Sequence, residues 1–197
     1  MTWKDIKIAT LQKMFSADGA NIPTDQSTID YVAAMPYAAN EGMQRLCTAG
    51  KYLRKCYLVP EEGRTGTVDL RTIPDFYSAG STAEVYKING GVPEALRECR
   101  MVAGRYLVMP SAQGEIQFYY NAWPPDITQG TPDDYVIPLD PEVAVLLPKY
   151  IASQLYTDSE AEVATRYYNE FEIGLAALEN SVTGESGGEF VSVTGWC

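Results

Sequence analysis

The hydrophobic and polar positions divide the chain into helical ends and a strand-like middle. Thr2 followed by Asp5 forms a capping-box pattern with an acid in the glutamate position, and Ile8, Leu11 and Phe15 then share one helical face. A first helix is predicted near residues 3–15. After the turn material ADGANIPTDQ, Ser27 and Asp30 repeat the capping signal. Ile29, Val32, Ala39, Met43, Leu46, Gly50 and Leu53 then mark a second, longer helix, with a kink or restart expected at Pro36.

From Tyr57 to about Ile137, glycine and proline punctuate short β-type runs. TVDLRTI, AEVYKI, RYLVM and EIQFYY read as strands, and residues 109–114 read as the loop of a hairpin joining two of them. Helical periodicity returns at Asp140-Pro141-Glu142, which combines an Asp N-cap with proline at the first helical position. Val143, Leu147, Tyr150, Ile151 and Leu155 form its apolar stripe, bent at Pro148. Asp158 is the expected cap of a last helix, whose face is Val163, Tyr167, Phe171, Leu175 and Leu178. Its first turn is acidic, as the helix dipole favours.

This pattern predicts an α+β fold: a four-helix bundle core, two helices from each end of the chain, with an inserted small antiparallel β domain and an extended C-terminal tail. The expected boundaries are 1–56 for the N-terminal helices, 57–138 for the insert, 139–180 for the C-terminal helices and 181–197 for the tail. The tail reads SVTGESGGEFVSVTGWC, and Phe190, Val191, Val193 and Trp196 are too apolar for a purely solvating segment. They are candidate partner-binding residues.

Composition narrows the chemistry. The 197 residues include no histidine, which removes the usual general base near neutral pH and with it Ser-His and Cys-His nucleophile pairs. Cys47, Cys56, Cys99 and Cys197 form no Cys-x-x-Cys pair, so neither a metal site nor a cofactor is expected and the thiols are read as reduced. Gly63-Arg64-Thr65-Gly66 and Gly187-Gly188 lack the lysine and the strand-to-helix setting of a phosphate loop, and are read as turn and linker. The adjacent acids Glu61-Glu62 and Asp133-Asp134 lack the convergence that paired carboxylate chemistry requires. An enzyme using Asp133 and Glu115 is the least favoured reading.

Charge is unevenly placed. Residues 1–114 carry 13 Lys and Arg against 12 acids, whereas residues 115–197 carry only Lys149 and Arg166 against 14 acids, a balance of −12 within the net −11. Such a C-terminal half will not grip a phosphate backbone, although it can face DNA without holding it. Arg97, Arg100 and Arg105, with Lys87, are interleaved with Glu94 and Glu98 and read as a solvated face. The chain has 14 tyrosines. Tyr119, Tyr120 and Trp123, followed by two prolines, and Tyr167 with Tyr168, are candidate subunit or tail interface residues; a sugar platform is the alternative use of the first group. No run approaches the ~20 apolar residues that span a bilayer, and the N-terminus lacks a signal-peptide core, so a soluble, unexported chain with no membrane partner is expected.

Two blocks, TIDYVAAMPYAANEGMQRLCTAGKYL and PEVAVLLPKYIASQLYTDSEAEVATRYYNEFEIGLAAL, with YIASQLY and the Tyr-Asn-Glu-Phe-Glu run inside the second, resemble the head-tail adaptor (head completion, or connector) proteins of tailed bacteriophages. The resemblance covers residues 28–53 and 141–178. It implies a helical bundle that assembles as a homo-oligomeric ring of about twelve copies, a dodecamer, beneath the portal vertex in the neck of the virion. It also implies a C-terminal segment, here 189–197, that docks into the portal protein, and neck or tail proteins as downstream partners. DNA would pass through the channel without specific binding. The chain would be a structural virion protein, made in the host cytoplasm and not an enzyme. The β insert departs from the all-helical members, and a carbohydrate- or receptor-binding virion module built on it is the alternative reading.

Overall fold

The structure, a computed structural model, describes residues 1–14, 21–50, 53–61, 66–79, 84–109, 114–156 and 160–181, with side chains to residue 178. The helices are α1 (Trp3–Met14), α2 (Gln26–Thr48), α3 (Pro141–Ala144), α4 (Leu147–Leu155) and α5 (Ala161–Ser181). The strands are β1 (Leu53–Leu58), β2 (Gly66–Asp69), β3 (Phe76–Ser78), β4 (Glu84–Asn89), β5 (Val92–Ala95), β6 (Arg100–Val102), β7 (Tyr106–Met109) and β8 (Glu115–Ala122).

The expected capping box forms at α1. Thr2 N–H donates to Asp5 Oδ2 at 2.8 Å, and Asp5 N–H donates to Thr2 Oγ1 at 3.2 Å. The backbone N–H groups of Trp3 and Lys4, which an isolated helix would leave open, donate to the carbonyls of Tyr135 and Asp133. The chain start is thus tied to the segment that returns from the β region, and an antiparallel bridge between Thr2 and Val136 continues the contact. The buried face of α1 is Trp3, Ile6, Lys7, Thr10, Leu11 and Met14, with Ile8 only half-buried; Phe15 lies outside the described residues.

At α2 the cap is Asp25, two residues ahead of the expected Ser27. Its carboxylate accepts from the Ser27 hydroxyl and from the N–H and hydroxyl of Thr28. These bonds hold the Asp25 carboxyl down to about 2, the Ser27 hydroxyl contributing most. The helix runs through Pro36 to Thr48 without a restart, and ends before Leu53, which opens a strand.

The expected four-helix bundle is not what forms. Pro148 has no N–H to continue a helix begun at Pro141, so residues 141–155 divide into the single turn α3 and the nine-residue α4. Asp140 stands at the expected N-cap position of α3, but its side chain makes no capping bond. The short α4 is the hub: α1, α2 and α5 each pack on it, and meet one another chiefly through side-chain tips. Tyr167 Oη, for example, donates to the carbonyl of Lys13 at 2.6 Å, and Arg45 pairs with Glu172. Four helices of similar length could share a bundle seam; a buried nine-residue helix cannot.

Glycine permits the closest of these approaches. A Cβ at Gly42 would lie 2.8 Å from Leu147 Cδ1 and 2.8 Å from Tyr150 Cδ1, so α2 meets α4 backbone to side chain. Around the hub, Ile6, Leu11, Met35, Met43, Leu46, Leu147, Ile151 and Phe171 are removed from solvent, each contributing about 1.5–3 kcal/mol of transfer free energy.

The β region has a core of its own. One sheet runs β1-β8-β4-β5 with β3 also paired to β8, and the other runs β2-β7-β6; all pairings are antiparallel. Val85, Ile116, Phe118 and Tyr120 from the first and Val68, Leu107 and Met109 from the second are buried in one cluster. Strand β7 pairs with β2 and β6 while β8 belongs to the other sheet, so the hairpin expected around residues 109–114 does not join them. The TVDLRTI run is a strand only to Asp69 and then a 3-10 turn over Leu70–Thr72. The segment 123–140 carries no helix or strand, and its Ile127 and Ile137 are buried in the helical core rather than in that of the strands.

Candidate interaction surfaces

The residues singled out from the sequence go to different places. Tyr120, on the inward face of β8, is buried; its hydroxyl donates to Asp75 Oδ1 at 2.8 Å, and burial followed by this carboxylate pushes its ionisation up to about 12. Tyr167 is buried against α1. Both side chains are committed to packing within the chain. Tyr119, half-buried on the outer face of β8, meets Tyr86 edge-on at 5.8 Å, and Tyr168 remains 39% exposed on α5. The docking candidates Phe190, Val191, Val193 and Trp196 lie outside the described residues, as do Asp158, Cys197 and the turn 62–65.

Among the described residues, Asp133 and Glu115, two of the acids weighed for catalysis, have separate partners. Asp133 pairs with the Lys7 ammonium, which also lies 5.8 Å from the Trp3 ring centroid, and Glu115 accepts from the neighbouring Gln117 side chain. Among the described residues no group of three or more His, Cys, Asp or Glu is placed to hold a metal ion. Burial pushes the Cys47 thiol up to about 11, so it carries no thiolate near neutrality. Arg105 is bound to Asp69, the last residue of β2.

Three surface features stand out among the described residues. The first is on the C-terminal helices. A Cβ at Gly174 would lie 2.5 Å from Leu146 Cδ2, so α5 rests directly on the α3–α4 junction. The chain neighbours of this contact, Ile173 and Val145, are 70% and 53% exposed. On the same helix Tyr168 stands beside the Arg45–Glu172 pair, and its hydroxyl is raised, first by its bond to Glu172 and then by burial. Ile173 lies off the stripe formed by Tyr167, Phe171 and Leu175, and an isoleucine on the polar side of an amphipathic helix was the available sequence signal for it.

The second is a cleft of about 450 Å³ between the start of α1, the first half of α2 and residues 128–129, walled by Trp3, Ile22, Pro23, Ile29, Val32 and Pro36 with Lys7, Thr24, Thr128 and Gln129 among them. The third, of about 360 Å³, lies where α2 meets the β region. Asn40, Met43 and Gln44 come from α2, Pro74 and Asp75 from the turn before β3, and Trp123, Pro124, Pro125 and Asp126 from the stretch after β8. Trp123 N–H donates to the Asp75 carbonyl at 2.9 Å, and its half-buried ring lies 4.2 Å from that of Tyr77 between centroids. Lys55 and the Tyr120 hydroxyl take one Asp75 oxygen each. Burial works to raise the Asp75 carboxyl, but these two partners outweigh it and hold it below its ordinary value. No sequence pattern announces this third cleft, because its walls come from three separated stretches.

No protein-family model and no curated protein matches the chain. No helix among the described residues is long and apolar enough to cross a membrane.

Proposed function

We propose that the chain is a structural virion protein of the tailed-phage neck, a head-tail adaptor whose copies close into a ring between portal and tail and extend the DNA channel. The observation that carries this reading is the exposure of large apolar side chains along α3–α5, the second of the two blocks that carry the resemblance. Ile173, Val145 and Tyr168 stay in water there although the hub beneath them is closely packed. A ring further requires a head-to-tail contact between two different patches of one chain. The cleft between α1 and α2 supplies a recess, apolar over Trp3, Ile22, Ile29 and Val32, that shares no residue with α5. Projection and recess are the two halves of the subunit contact in this reading.

Electrostatics favours the same assignment. The surplus acids of residues 115–197 give a channel wall that repels phosphate and lets a duplex slide. Segment 189–197 serves as the portal-docking element, and the role is structural, without catalysis or cofactor.

Electron microscopy and analytical ultracentrifugation of the chain with its portal test the reading. Ring-shaped particles are expected, lost in Ile173→Asp while the circular dichroism spectrum is kept. A chain that stays monomeric and never binds portal removes the proposal.

A further inference from the structure

We infer that the cleft where α2 meets the β region is a binding site for a neutral saccharide. A pyranose ring presents a face of C–H bonds and a rim of hydroxyls that each donate and accept. Its site therefore needs a fixed aromatic surface beside several polar groups with open hydrogen-bonding capacity.

The cleft supplies both. The Trp123 ring is held by Tyr77 on one side and by its own backbone bond to Asp75. Among the described residues the indole N–H of Trp123, the side-chain amide of Gln44 and the carboxylate of Asp126 have no partner in the protein, which leaves a donor, a donor–acceptor and an acceptor on residues that line one cleft. Asp75 is preset by Lys55 and Tyr120, and each of its oxygens retains a lone pair for a ligand hydroxyl. Pro74, Pro124 and Pro125 stiffen the walls and lower the ordering cost of binding. A volume of about 360 Å³ accommodates a monosaccharide unit.

The same groups discriminate between ligand classes. Two carboxylates, with Lys55 already engaged by one of them, repel phosphates and acidic sugars. An apolar ligand would strand the open polar groups. The site does not depend on ring formation, since every group belongs to one chain.

Saturation-transfer NMR and calorimetry of the full chain with methyl glucoside, methyl galactoside, methyl mannoside and N-acetylglucosamine test the inference. Binding of at least one probe is expected with a dissociation constant on the order of 1 mM, weakened at least tenfold in Trp123→Ala and in Asp126→Ala. Gln44 and Asp126 are exposed, so Gln44→Ala and Asp126→Ala keep the test valid if Trp123→Ala fails to fold. Val92→Ala, exposed on β5 and outside the cleft, is expected to bind as the parent does. Absence of transfer from every probe at about 10 mM, or binding indifferent to all three cleft substitutions, overturns the inference. Arginine methyl ester binding more tightly than every glycoside, in a Trp123-dependent way, overturns the saccharide assignment in favour of a cation.

Discussion

Asn40 holds Ile127 by both polar groups of its backbone. The side-chain amide donates to the Ile127 carbonyl at 2.9 Å, and the Ile127 N–H donates back to Asn40 Oδ1 at 2.8 Å. One side chain of α2 thereby stands in for a strand partner where the chain, leaving the sheets, has none. Asn40→Ala leaves an N–H and a carbonyl without partners beside a residue only 2% exposed. A loss of about 2 kcal/mol is expected in urea unfolding, at the middle of the range for stranded buried groups. A loss under ~0.5 kcal/mol would mean that water replaces the amide at no cost.

Gly42→Ala sets two effects against each other. Alanine gains roughly 0.5–1 kcal/mol from helix propensity, whereas a methyl at 2.8 Å from both Leu147 and Tyr150 overpacks the hub by about 1–3 kcal/mol. Both neighbours are buried and cannot swing outward, so a net destabilisation of ~1–2 kcal/mol is expected from denaturant midpoints at unchanged slope. An increase in stability would show that α2 can move away from α4.

Acid should loosen the start of α2. The Asp25 carboxyl sits at about 2 in the folded chain because the Ser27 and Thr28 bonds favour its ionised form, while in the unfolded chain it returns to ~3.9. The unfolded state therefore binds more protons between these values, and stability rises with pH across that window. The contribution is complete above ~4 and is lost as pH falls through about 2. Asp25→Asn preserves a capping oxygen without the titration, so its stability-against-pH curve should be flatter there. Curves of equal slope for parent and variant would contradict the cap assignment.

Alkali should act on two buried phenols. Burial pushes Tyr120 and Tyr150 up to about 12, with Asp75 and Glu41 respectively adding to the effect. Their neutral forms are favoured by the fold, so this share of stability is present below ~10, the unfolded value, and is lost as pH rises through about 12. Phenolate absorbance should show at least two tyrosines ionising late and together with loss of near-ultraviolet ellipticity. Ionisation of all 14 at their ordinary value with the fold intact would contradict the burial of both.

What could be read from the sequence was local. Thr2 and Asp5 interact three residues apart, and the buried faces Val143–Leu147–Tyr150–Ile151 and Tyr167–Phe171–Leu175 each lie within one helical stretch. Pro148 was visible, but whether a proline bends a helix or begins a new one depends on the helices packed around it. Strand β1 was concealed because Leu53 continues the apolar spacing of α2, and its pairing with β8 spans about sixty to seventy residues. The division of β7 and β8 between two sheets is likewise non-local. For the site, Trp123 stood out by composition, whereas Gln44, Asp75 and Asp126 are ordinary surface residues until the fold places them around it.

Leu53, at the start of β1, and Ala122, at the end of β8, are directly opposed in register, so the chain enters and leaves the β region side by side. A linker of a few residues could close the helical part over the gap, since opposed residues in a sheet stand only ~5 Å apart. Exchange of the roughly seventy residues between them would leave the two chain ends of the helical part at the same separation, but would take with it Pro74 and Asp75, one wall of the cleft against α2.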